Sequence, residues 1–480
     1  MKKIIFSVII SIFCYHLYSQ DLQEITGFGT NQGNLKMYVH VPTNLQTSAP
    51  IVVALHGCTQ SAIDCSNTTG WNELSDKYGF IVLYPEQQYA NNSSYCFNWF
   101  LPADQERNSG EPASIIEMIE HLKTNYTIDS TKIYVTGLSA GAGMSNVLLA
   151  CYPDVFSAGA IMAGTPYKSG TDITTAYYAM NGLIDKSATE WGNIVRNAYS
   201  TYDGNYPKVS VFHGLSDNTV KPQNINEIIE QWTNVHATDA VADEANSNFF
   251  DNLYTEQTIF SKNTDTIMVV YKISIMGHGI SVDTGTCSYQ GGTAEIYSYN
   301  MRFHSTYWAA RFFELIPLLS INGNSFVNES ETNLTYSVNN VSSSTFEWIF
   351  PAGVQIVSGQ GTKSLVVNWG SSSGYISVVE TDSEACTNPP IYKKVSIGTS
   401  VDAQTLDNDF KIIYSKNDKT FLLKSFSTDD TYYKIVSIDG RILNEGTFRN
   451  ETKLNIHQAE GIVIVNIVND KKAISKKIIL

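Results

Sequence analysis

The chain has 480 residues, a length that allows two to four domains. Its formal net charge of −15 argues against nucleic acid and against an anionic membrane surface as partners. With 28 tyrosines and only 16% charged residues, the composition is typical of secreted, surface-exposed proteins and is compatible with a polar, neutral polymer as ligand.

The first 20 residues have the features of a cleavable secretory signal. Lys2 and Lys3 precede an apolar run over residues 4–14, and the segment ends near Ser19. The run is shorter than the ~20 apolar residues that a membrane span needs, so an uncleaved anchor is disfavoured. Cys14 follows a poor lipobox, which disfavours a lipoprotein. We expect residues 1–20 to be a signal peptide and the protein to be secreted or held at the cell surface.

The first buried strand is predicted over residues 49–55, and it breaks at His56-Gly57. A backbone N–H on the loop after such a strand can face the oxyanion of an acyl-transfer reaction. Cys58 is the candidate oxyanion donor and Thr59 is the second choice. The alternative is that His56-Gly57 forms only a tight turn.

An aromatic cluster follows at Phe97, Trp99 and Phe100, beside Cys96. A planar apolar surface suits a feruloyl ring, the face of a sugar or a polyester segment. Phe97 and Trp99 are therefore candidates for substrate binding. The alternative is that the cluster belongs to the hydrophobic core, which is the commoner place for such residues.

The most informative motif is Gly-x-Ser-x-Gly at residues 137–141, between a β-branched strand pattern and an apolar, helix-compatible run at 144–151. Its glycines lack Cβ atoms, so a strand and a helix can approach closely around a strained serine. Ser139 is the candidate nucleophile. The helix N-terminus and the Ala140 N–H would face a developing oxyanion. For the motif alone, a Gly-rich turn without catalytic function is the alternative.

A serine nucleophile needs a base and an acid that orients the base. In the α/β-hydrolase fold the acid follows the serine along the chain, and the base follows the acid. Asp217 lies in the loop after a predicted strand at 208–214. His278 lies between two glycines after a predicted strand at 266–273. Either residue alone could be structural, but all three in this order predict a catalytic triad with Ser139.

Six separated segments share their sequence and order with one known family. They are LHGCTQSA at 55–62, GWNEL at 70–74, LYPEQQ at 83–88, CFNWF at 96–100, GLSAG at 137–141 and YPDVF at 152–156. They resemble the polyhydroxybutyrate depolymerase family of esterases, which groups with carbohydrate esterases that act on acetylated or feruloylated xylan. The resemblance covers about residues 25–315. It implies an α/β-hydrolase fold and the triad of Ser139, Asp217 and His278.

Two positions depart from the family pattern. Ala142 stands where the family often has a second glycine, and Phe97 stands where it often has tryptophan. The alanine removes no catalytic group, whereas the phenylalanine leaves the contact with substrate open.

Six of the seven cysteines remain once Cys14 is set aside with the signal, and six allow 15 pairings that the sequence alone does not resolve. The family resemblance implies one bridge, between Cys58 and Cys96, which would join the oxyanion loop to the aromatic segment. No Cys-x-x-Cys or His-Glu-x-x-His spacing occurs, so no metal site is expected. The triad requires no cofactor.

Near residue 315 the pattern changes. Before it, predicted strands alternate with helical stretches such as 114–123 and 224–235, as a mostly parallel sheet requires. After it, short predicted strands are separated by Ser, Asn and Gly turns. The expected fold class is α/β, with an α/β-hydrolase esterase domain at 21–316 followed by two small all-β, sandwich-like domains at 317–400 and 401–480.

The region 317–400 resembles an immunoglobulin-like or PKD-type sandwich, with Trp348 and Trp369 as expected core residues. Carbohydrate binding and a spacer role are both open, and a spacer is favoured. The strand-rich region 401–480, which ends in Lys-Lys-Ile-Ile-Leu, resembles the C-terminal sorting domain of the type IX secretion system. That resemblance implies contact with the secretion machinery and passage across an outer membrane. Another adhesive β-module is the alternative.

The expected function is that of a secreted serine esterase that hydrolyses carboxylic esters of a polymer through an acyl-enzyme. The sequence does not decide which of these esters is the substrate: an acetyl or feruloyl ester of xylan, or a polyhydroxyalkanoate polyester. The alternative is a surface adhesion or carbohydrate-binding protein with a weakly active or inactive hydrolase domain. A monomer is expected, and an acidic, amide-rich insertion at about 237–265 is expected to form part of a rim or lid.

Overall fold

The computed structural model describes residues 22–262, 265–317, 319–339, 344–382, 385–388, 390–397, 410–415, 420–425, 430–437, 441–455, 462–469 and 472–479. The expected signal peptide, residues 1–20, lies outside them. The chain divides into two compact units, with the division between Pro317 and Leu318. Within the ranges just given, no helix combines the length and the hydropathy that a membrane crossing requires.

The first unit is built on a ten-stranded sheet. In chain order its strands are β1 (Gln23–Ile25), β2 (Lys36–His40), β3 (Ala49–Leu55), β4 (Ile81–Glu86), β5 (Ile128–Leu138), β6 (Ala158–Met162), β7 (Lys208–Gly214), β8 (Glu244–Asn246), β9 (Thr255–Lys262) and β10 (Asp265–Ile273). In space the order is β1-β2-β4-β3-β5-β6-β7-β10-β9-β8. Six neighbouring strands, β4-β3-β5-β6-β7-β10, are parallel to one another. At the two ends of this parallel group, β2 pairs antiparallel with β4 and β9 pairs antiparallel with β10.

Helices cover both faces of this sheet. They are α1 (Ala62–Thr69), α2 (Trp71–Tyr78), α3 (Gly110–Asn125), α4 (Ala140–Cys151), α5 (Ile173–Met180), α6 (Ala188–Ala198), α7 (Asn224–Val235) and α8 (Ser305–Phe312). Short 3-10 helices lie at Pro102–Asp104 and Phe249–Asp251. A separate two-stranded parallel sheet is formed by β11 (Ile280–Val282) and β12 (Ser298–Asn300).

The sheet separates two hydrophobic cores. Every residue of β3 is buried, as expected for a parallel strand that is covered on both faces. Because successive side chains of a strand point to opposite faces, neighbouring valines enter different cores. Val53 packs in the core that contains Leu148 of α4. Val52 packs in the other core, with Trp71 of α2. The carboxyl ends of the parallel strands thus form one edge at which their loops can meet.

Much of the insertion that was expected to form a rim or lid extends the sheet. Its segment Thr255–Lys262 pairs antiparallel with β10, and Glu244–Asn246 pairs with that segment in turn. Burial along Thr255–Lys262 does not alternate strictly, so the two-residue period that marks a strand in a sequence is weak here. Backbone pairing with a neighbouring strand decides the structure of this segment.

The second unit is β-rich. In chain order its first strands are β13 (Ile321–Asn322), β14 (Phe326–Val327), β15 (Leu334–Val338), β16 (Thr345–Ile349), β17 (Gln355–Ser358), β18 (Ser364–Asn368), β19 (Gly374–Thr381) and β20 (Ile391–Ile397). They form two four-stranded sheets, β13-β15-β18-β17 and β14-β20-β19-β16. Residues of both sheets form one hydrophobic core, and Trp348 and Trp369 lie in it, as the sequence predicted.

The last strands are β21 (Phe410–Ser415), β22 (Thr420–Ser425), β23 (Thr431–Ser437), β24 (Ile442–Phe448), β25 (Glu451–Asn455), β26 (Ile462–Asn469) and β27 (Lys472–Ile479). They form a three-stranded sheet, β21-β22-β25, and a four-stranded sheet, β24-β23-β26-β27. A separate hydrophobic core contains Phe421, Ile435 and Val465. This arrangement is consistent with the small all-β domains that the sequence predicted.

Candidate active site

Ser139 lies on a sharp turn between a strand and a helix. β5 ends at Leu138 and α4 begins at Ala140, so Ser139 alone connects the two elements. Its φ of 57° and ψ of −114° are strained for a residue with a side chain. Two backbone hydrogen bonds hold the turn: Ser139 N–H donates to Met162 O at 3.0 Å, and Ser139 O accepts from Gly143 N–H at 2.9 Å. This is the geometry of a nucleophile elbow.

Two glycines permit this turn, because other backbone atoms occupy the space that a Cβ atom would need at each of them. A Cβ atom on Gly137 would lie 2.4 Å from the carbonyl group of Gly141. A Cβ atom on Gly141 would lie 2.4 Å from Leu55 O and 2.6 Å from His56 O. The elbow therefore packs directly against the end of β3, where the loop that contains Cys58 begins.

The structure brings Asp217 and His278 together. They follow β7 and β10, which are neighbouring parallel strands, so both loops leave the same edge of the sheet as Ser139. His278 Nδ1 donates to Asp217 Oδ2 at 2.8 Å. A backbone bond from Ser216 N–H to Met276 O, at 3.0 Å, also joins the two loops. The Nε2 atom of His278 is left as the ring atom that can act on a nucleophile.

The Asp217 carboxylate is buried and receives several donors. Its Oδ1 atom accepts from the backbone N–H groups of Thr219, at 2.8 Å, and Val220, at 2.9 Å. Burial acts to raise the pKa of Asp217, but hydrogen bonds from His213 and His278 outweigh it and hold the pKa well below its usual range. The carboxylate is therefore charged at neutral pH, as the acid that orients an imidazole must be.

His213 is a second histidine on this carboxylate, and sequence reasoning does not assign it to the site. Its side chain is completely buried at the end of β7. Its Nε2 atom donates to Val220 O at 2.8 Å and lies 3.5 Å from Asp217 Oδ2. The signal in the sequence is only a histidine before a glycine at the end of a strand, which His56 shares.

Two backbone N–H groups are available to an oxyanion. Ala140 is the first residue of α4, so no carbonyl of that helix can accept from its N–H. In the part of the chain that the structure describes, the Cys58 N–H also donates no hydrogen bond. Thr59, the second choice, already donates its N–H to Ser94 O at 2.7 Å. The geometry therefore favours Cys58 over Thr59.

The Cys58 loop is held by buried polar contacts. His56 Nδ1 donates to Gly57 O at 2.7 Å, and His56 Nε2 accepts from Gln87 N–H at 3.1 Å. Burial lowers the pKa of His56 to about 4, so this ring is neutral at neutral pH. Gly57 N–H donates to Gln60 Oε1 at 2.8 Å. These contacts fix the backbone before Cys58, and the bond from Thr59 N–H to Ser94 O fixes the backbone after it.

A disulfide joins Cys58 to Cys96, the pairing that the family resemblance implies. It fastens the loop to the segment that carries Phe97 and Trp99. Phe97 is completely buried and Trp99 is 5% exposed. Phe97 packs against His56 with 4.9 Å between ring centroids. The structure places these two rings in the hydrophobic core, which is the alternative that the sequence left open, and leaves them no open face for a substrate.

Glu111, at the start of α3, supports the same region, and sequence reasoning missed it. Its carboxylate accepts from Gln87 Nε2 at 2.5 Å and from the Asn98 side chain and backbone N–H, both at 2.8 Å. Burial and the nearby Asp104 carboxylate raise the pKa of Glu111 to about 8. Gln87 also donates to Cys96 O at 3.1 Å. No short motif marks such a residue, because its partners are distant in sequence.

A cavity lies beside the elbow. It has about 350 Å³ of empty space, part of it open to solvent, and its lining includes Gln60, Leu138, Ile280 and Tyr297. The Tyr297 ring stands edge-on to the His278 ring, with 6.2 Å between centroids. The cavity thus adjoins Leu138, the residue before Ser139, and Tyr297, a neighbour of His278. Among the residues that the structure describes, no group of three His, Cys, Asp or Glu side chains is placed to hold a metal ion.

Comparison with known proteins agrees with this geometry. The family model for Esterase PHB depolymerase matches residues 35–246, and the model for a PKD-like domain matches residues 315–393. Poly(3-hydroxyalkanoate) depolymerase C of Paucimonas lemoignei is 43% identical over 319 residues, which cover 66% of this chain and 75% of that protein. Feruloyl esterase B of Talaromyces stipitatus is 36% identical over 238 residues, covering 48% of this chain and 66% of that protein.

A solved structure, that of the acetyl xylan esterase from Aspergillus awamori, is also similar. It is 32% identical, with a TM-score of 0.50, over 54% of this chain and 93% of that one. The sheet order and the strained serine turn define the first unit as an esterase-type α/β-hydrolase. The chain belongs to the PHB depolymerase family of esterases, and it is a carboxylic ester hydrolase.

Proposed function

We propose that the protein hydrolyses carboxylic esters with Ser139 as nucleophile, His278 as general base and Asp217 as the orienting acid. The observation that carries this proposal is the 2.8 Å hydrogen bond between His278 Nδ1 and Asp217 Oδ2. It lies at the edge of the sheet where the strained turn at Ser139 also lies. The low pKa of Asp217 supports the assignment, because a charged carboxylate stabilises the imidazolium that forms during catalysis.

In this mechanism His278 Nε2 takes the hydroxyl proton as Ser139 Oγ attacks the ester carbonyl carbon. The N–H groups of Cys58 and Ala140 donate to the oxyanion of the tetrahedral intermediate. When the intermediate collapses, the alcohol leaves with the proton from His278, and the acyl group stays on Ser139. A water molecule, deprotonated by His278, then attacks the acyl-enzyme. When this second intermediate collapses, the bond to Ser139 Oγ breaks, His278 returns the proton to Oγ, and the acid is released.

The proposed substrate is an ester within or attached to a polymer. Similar proteins bear the names poly(3-hydroxyalkanoate) depolymerase, feruloyl esterase and acetyl xylan esterase. The cavity lined by Leu138, Ile280 and Tyr297 is the proposed place for the acyl group, since it adjoins both the nucleophile turn and the base. We propose that the protein acts as a monomer and binds no nucleic acid.

The direct test replaces Ser139 by alanine. We expect Ser139→Ala to lose turnover of p-nitrophenyl acetate by at least about 10³-fold while the thermal unfolding midpoint stays close to that of the wild type. Ser130→Ala, at an exposed position in β5, is the control and should keep full activity. A serine-reactive phosphonate should add its mass to the peptide that contains Ser139. An active Ser139→Ala protein would overturn the assignment.

We also propose that residues 1–20 direct export and that residues 401–480 act as a type IX sorting domain, which places the esterase outside the cell. The Cys58–Cys96 disulfide supports an oxidising destination. The test is expression in a host with type IX secretion, with and without residues 401–480. The full chain should reach the medium or the cell surface, and the truncated chain should stay inside. Export of both forms would contradict the sorting role.

A further inference from the structure

Two exposed tyrosines lie beside the Cys58 loop. Tyr89 is 65% exposed and Tyr95 is 41% exposed, and their ring centroids are 6.0 Å apart with planes tilted by 55°. They occupy the same segment as Phe97 and Trp99, which are buried. The open aromatic faces that the sequence suggested for this segment are therefore present, but they belong to two other residues.

This tyrosine pair is tied to the loop that carries the oxyanion donor. Ser94, the residue before Tyr95, accepts the N–H of Thr59 at 2.7 Å. Cys96, the residue after it, forms the disulfide with Cys58, with 4.2 Å between the two Cα atoms. Tyr95 is thus held between two direct links to the loop that we propose to bind the carbonyl oxygen of the ester.

The turn between the two tyrosines is ordered by its own hydrogen bonds. Tyr95 N–H donates to Asn92 O, and Ser94 N–H donates to Asn92 Oδ1, both at 2.9 Å. Asn92 Nδ2 donates to Asn98 Oδ1 at 3.0 Å, and Asn98 is held by the buried carboxylate of Glu111. A surface that is already in its binding conformation loses little conformational entropy when a ligand binds.

The chemistry of the segment indicates the ligand class. Residues 87–101 contain no Asp, Glu, Lys or Arg, but they contain three asparagines, two glutamines and two serines. Ser93 and Ser94 are exposed between the two tyrosines. Aromatic faces pack against the C–H faces of sugar rings, and hydroxyl and amide groups hydrogen-bond to sugar hydroxyls. A polyester chain offers only acceptors along its length, whereas sugar hydroxyls both donate and accept and so can pair with both the N–H and the C=O of each side-chain amide.

We propose that Tyr89 and Tyr95 form a subsite that binds the neutral polysaccharide to which the ester is attached. This inference rests on the proposed esterase function, because it places the polysaccharide chain beside the Cys58 oxyanion donor. It selects a carbohydrate ester, such as an acetylated or feruloylated xylan, from the substrate classes left open above.

Binding is tested in a full-length Ser139→Ala protein, so that the substrate is not consumed. Its affinity for acetylated xylan is measured by affinity gel electrophoresis, next to the same protein with Tyr89→Ala and Tyr95→Ala. We expect the double replacement to weaken binding about tenfold. Tyr89→Phe with Tyr95→Phe keeps both ring faces and should bind within about threefold of the parent. Tyr177→Ala, which removes an exposed tyrosine from α5, is the matched control.

Thermal unfolding of each variant shows whether it is folded, and the single variants Tyr89→Ala and Tyr95→Ala replace the double variant if that protein is unstable. Equal affinity of the alanine variants and the parent for xylan overturns the subsite. Loss of binding to polyhydroxybutyrate granules, with xylan binding unchanged, overturns the ligand class. The esterase proposal is tested by a separate measurement, the turnover of p-nitrophenyl acetate by the wild type with Ser139 intact. Absence of that turnover contradicts the esterase proposal, whatever the binding assay shows.

Discussion

His213 Nε2 lies 3.5 Å from Asp217 Oδ2, the oxygen that also accepts the hydrogen bond of His278. The same Nε2 atom donates to Val220 O, and Val220 N–H donates to Asp217 Oδ1. His213 thus links the carboxylate to the loop that surrounds it. We interpret His213 as a positioning residue, which acts on the reaction through Asp217 and not by contact with the substrate.

Replacing His213 by phenylalanine should therefore affect catalysis as well as stability. The ring shape is kept, but the N–H that faces Val220 O and Asp217 is lost. We expect kcat to fall about tenfold or more with a small change in KM, and the free energy of unfolding to fall by about 1–3 kcal/mol. His236→Phe removes a similar bond to Pro207 O, away from Asp217, and should lower stability alone. An unchanged kcat in folded His213→Phe protein contradicts the positioning role.

Gly141→Ala tests the close approach between the elbow and β3. The new methyl group would meet the carbonyl oxygens of Leu55 and His56, which are backbone atoms and cannot move aside cheaply. We expect a loss of about 1–3 kcal/mol in the free energy of unfolding, measured by urea titration, and a lower kcat because the Cys58 loop is displaced. Gly277→Ala is the control, since its Cβ would find no heavy atom closer than Tyr299 Oη at 3.7 Å. Equal stability of the two variants would argue against this packing.

The Cys58–Cys96 disulfide should stabilise both the fold and the Cys58 loop, which we propose to bind the oxyanion. It closes a loop with a sequence separation of 38 residues, for which chain entropy predicts about 4 kcal/mol. Replacing both cysteines by serine should lower Tm and kcat, because the Cys58 N–H loses a fixed position. Dithiothreitol should lower the Tm of the wild type more than that of this variant. A variant with wild-type kcat would show that the remaining contacts of His56 and Gln60 suffice to hold the loop.

Because the pKa of Glu111 is raised in the folded protein, we expect the free energy of unfolding to fall as the pH rises from about 5 to about 8. Its pKa is about 8 in the folded protein, against an ordinary value of 4.5. The unfolded chain gives up this proton at lower pH than the folded chain does, so rising pH favours unfolding between the two values. Glu111→Gln removes the titrating group and should reduce the difference in Tm between the ends of this range. Glu120→Gln, at an exposed position of the same helix, should keep the full difference. A difference that persists in Glu111→Gln would assign the pH dependence to other groups.

Much of the fold could be predicted because its signals are local. The strand at 208–214 and the helix at 224–235 have the bounds that the hydrophobic pattern predicts. β9 could not be predicted in the same way, because its burial does not alternate strictly and its pairing with β10 depends on a distant segment.

In the candidate site, too, the features that the sequence predicts are local, and those that it misses depend on packing. Ser139, Asp217 and His278 could be proposed as a triad because the motif at 137–141 and the order of the three residues are properties of the sequence. The structure joins Asp217 to His278 by a hydrogen bond, and the roles of the three residues stay a prediction. The burial of Phe97 and Trp99 could not be predicted in this way, because a core position and a surface position can hold the same type of aromatic residue. Burial is set by the helices and loops that cover these rings, and only packing reveals it.

The sequence by itself determined the family, the order in which the candidates Ser139, Asp217 and His278 follow one another, and the β-rich character of the second unit, since each depends on residue types at fixed spacing. The tertiary structure decided that His213 shares the Asp217 carboxylate, that Glu111 joins Gln87 to Asn98, and that Tyr89 and Tyr95 form the open aromatic surface. The reason is physical: hydrogen bonds, burial and electrostatic interactions act over a few ångströms in space, between residues whose separation along the chain carries no signal of their contact.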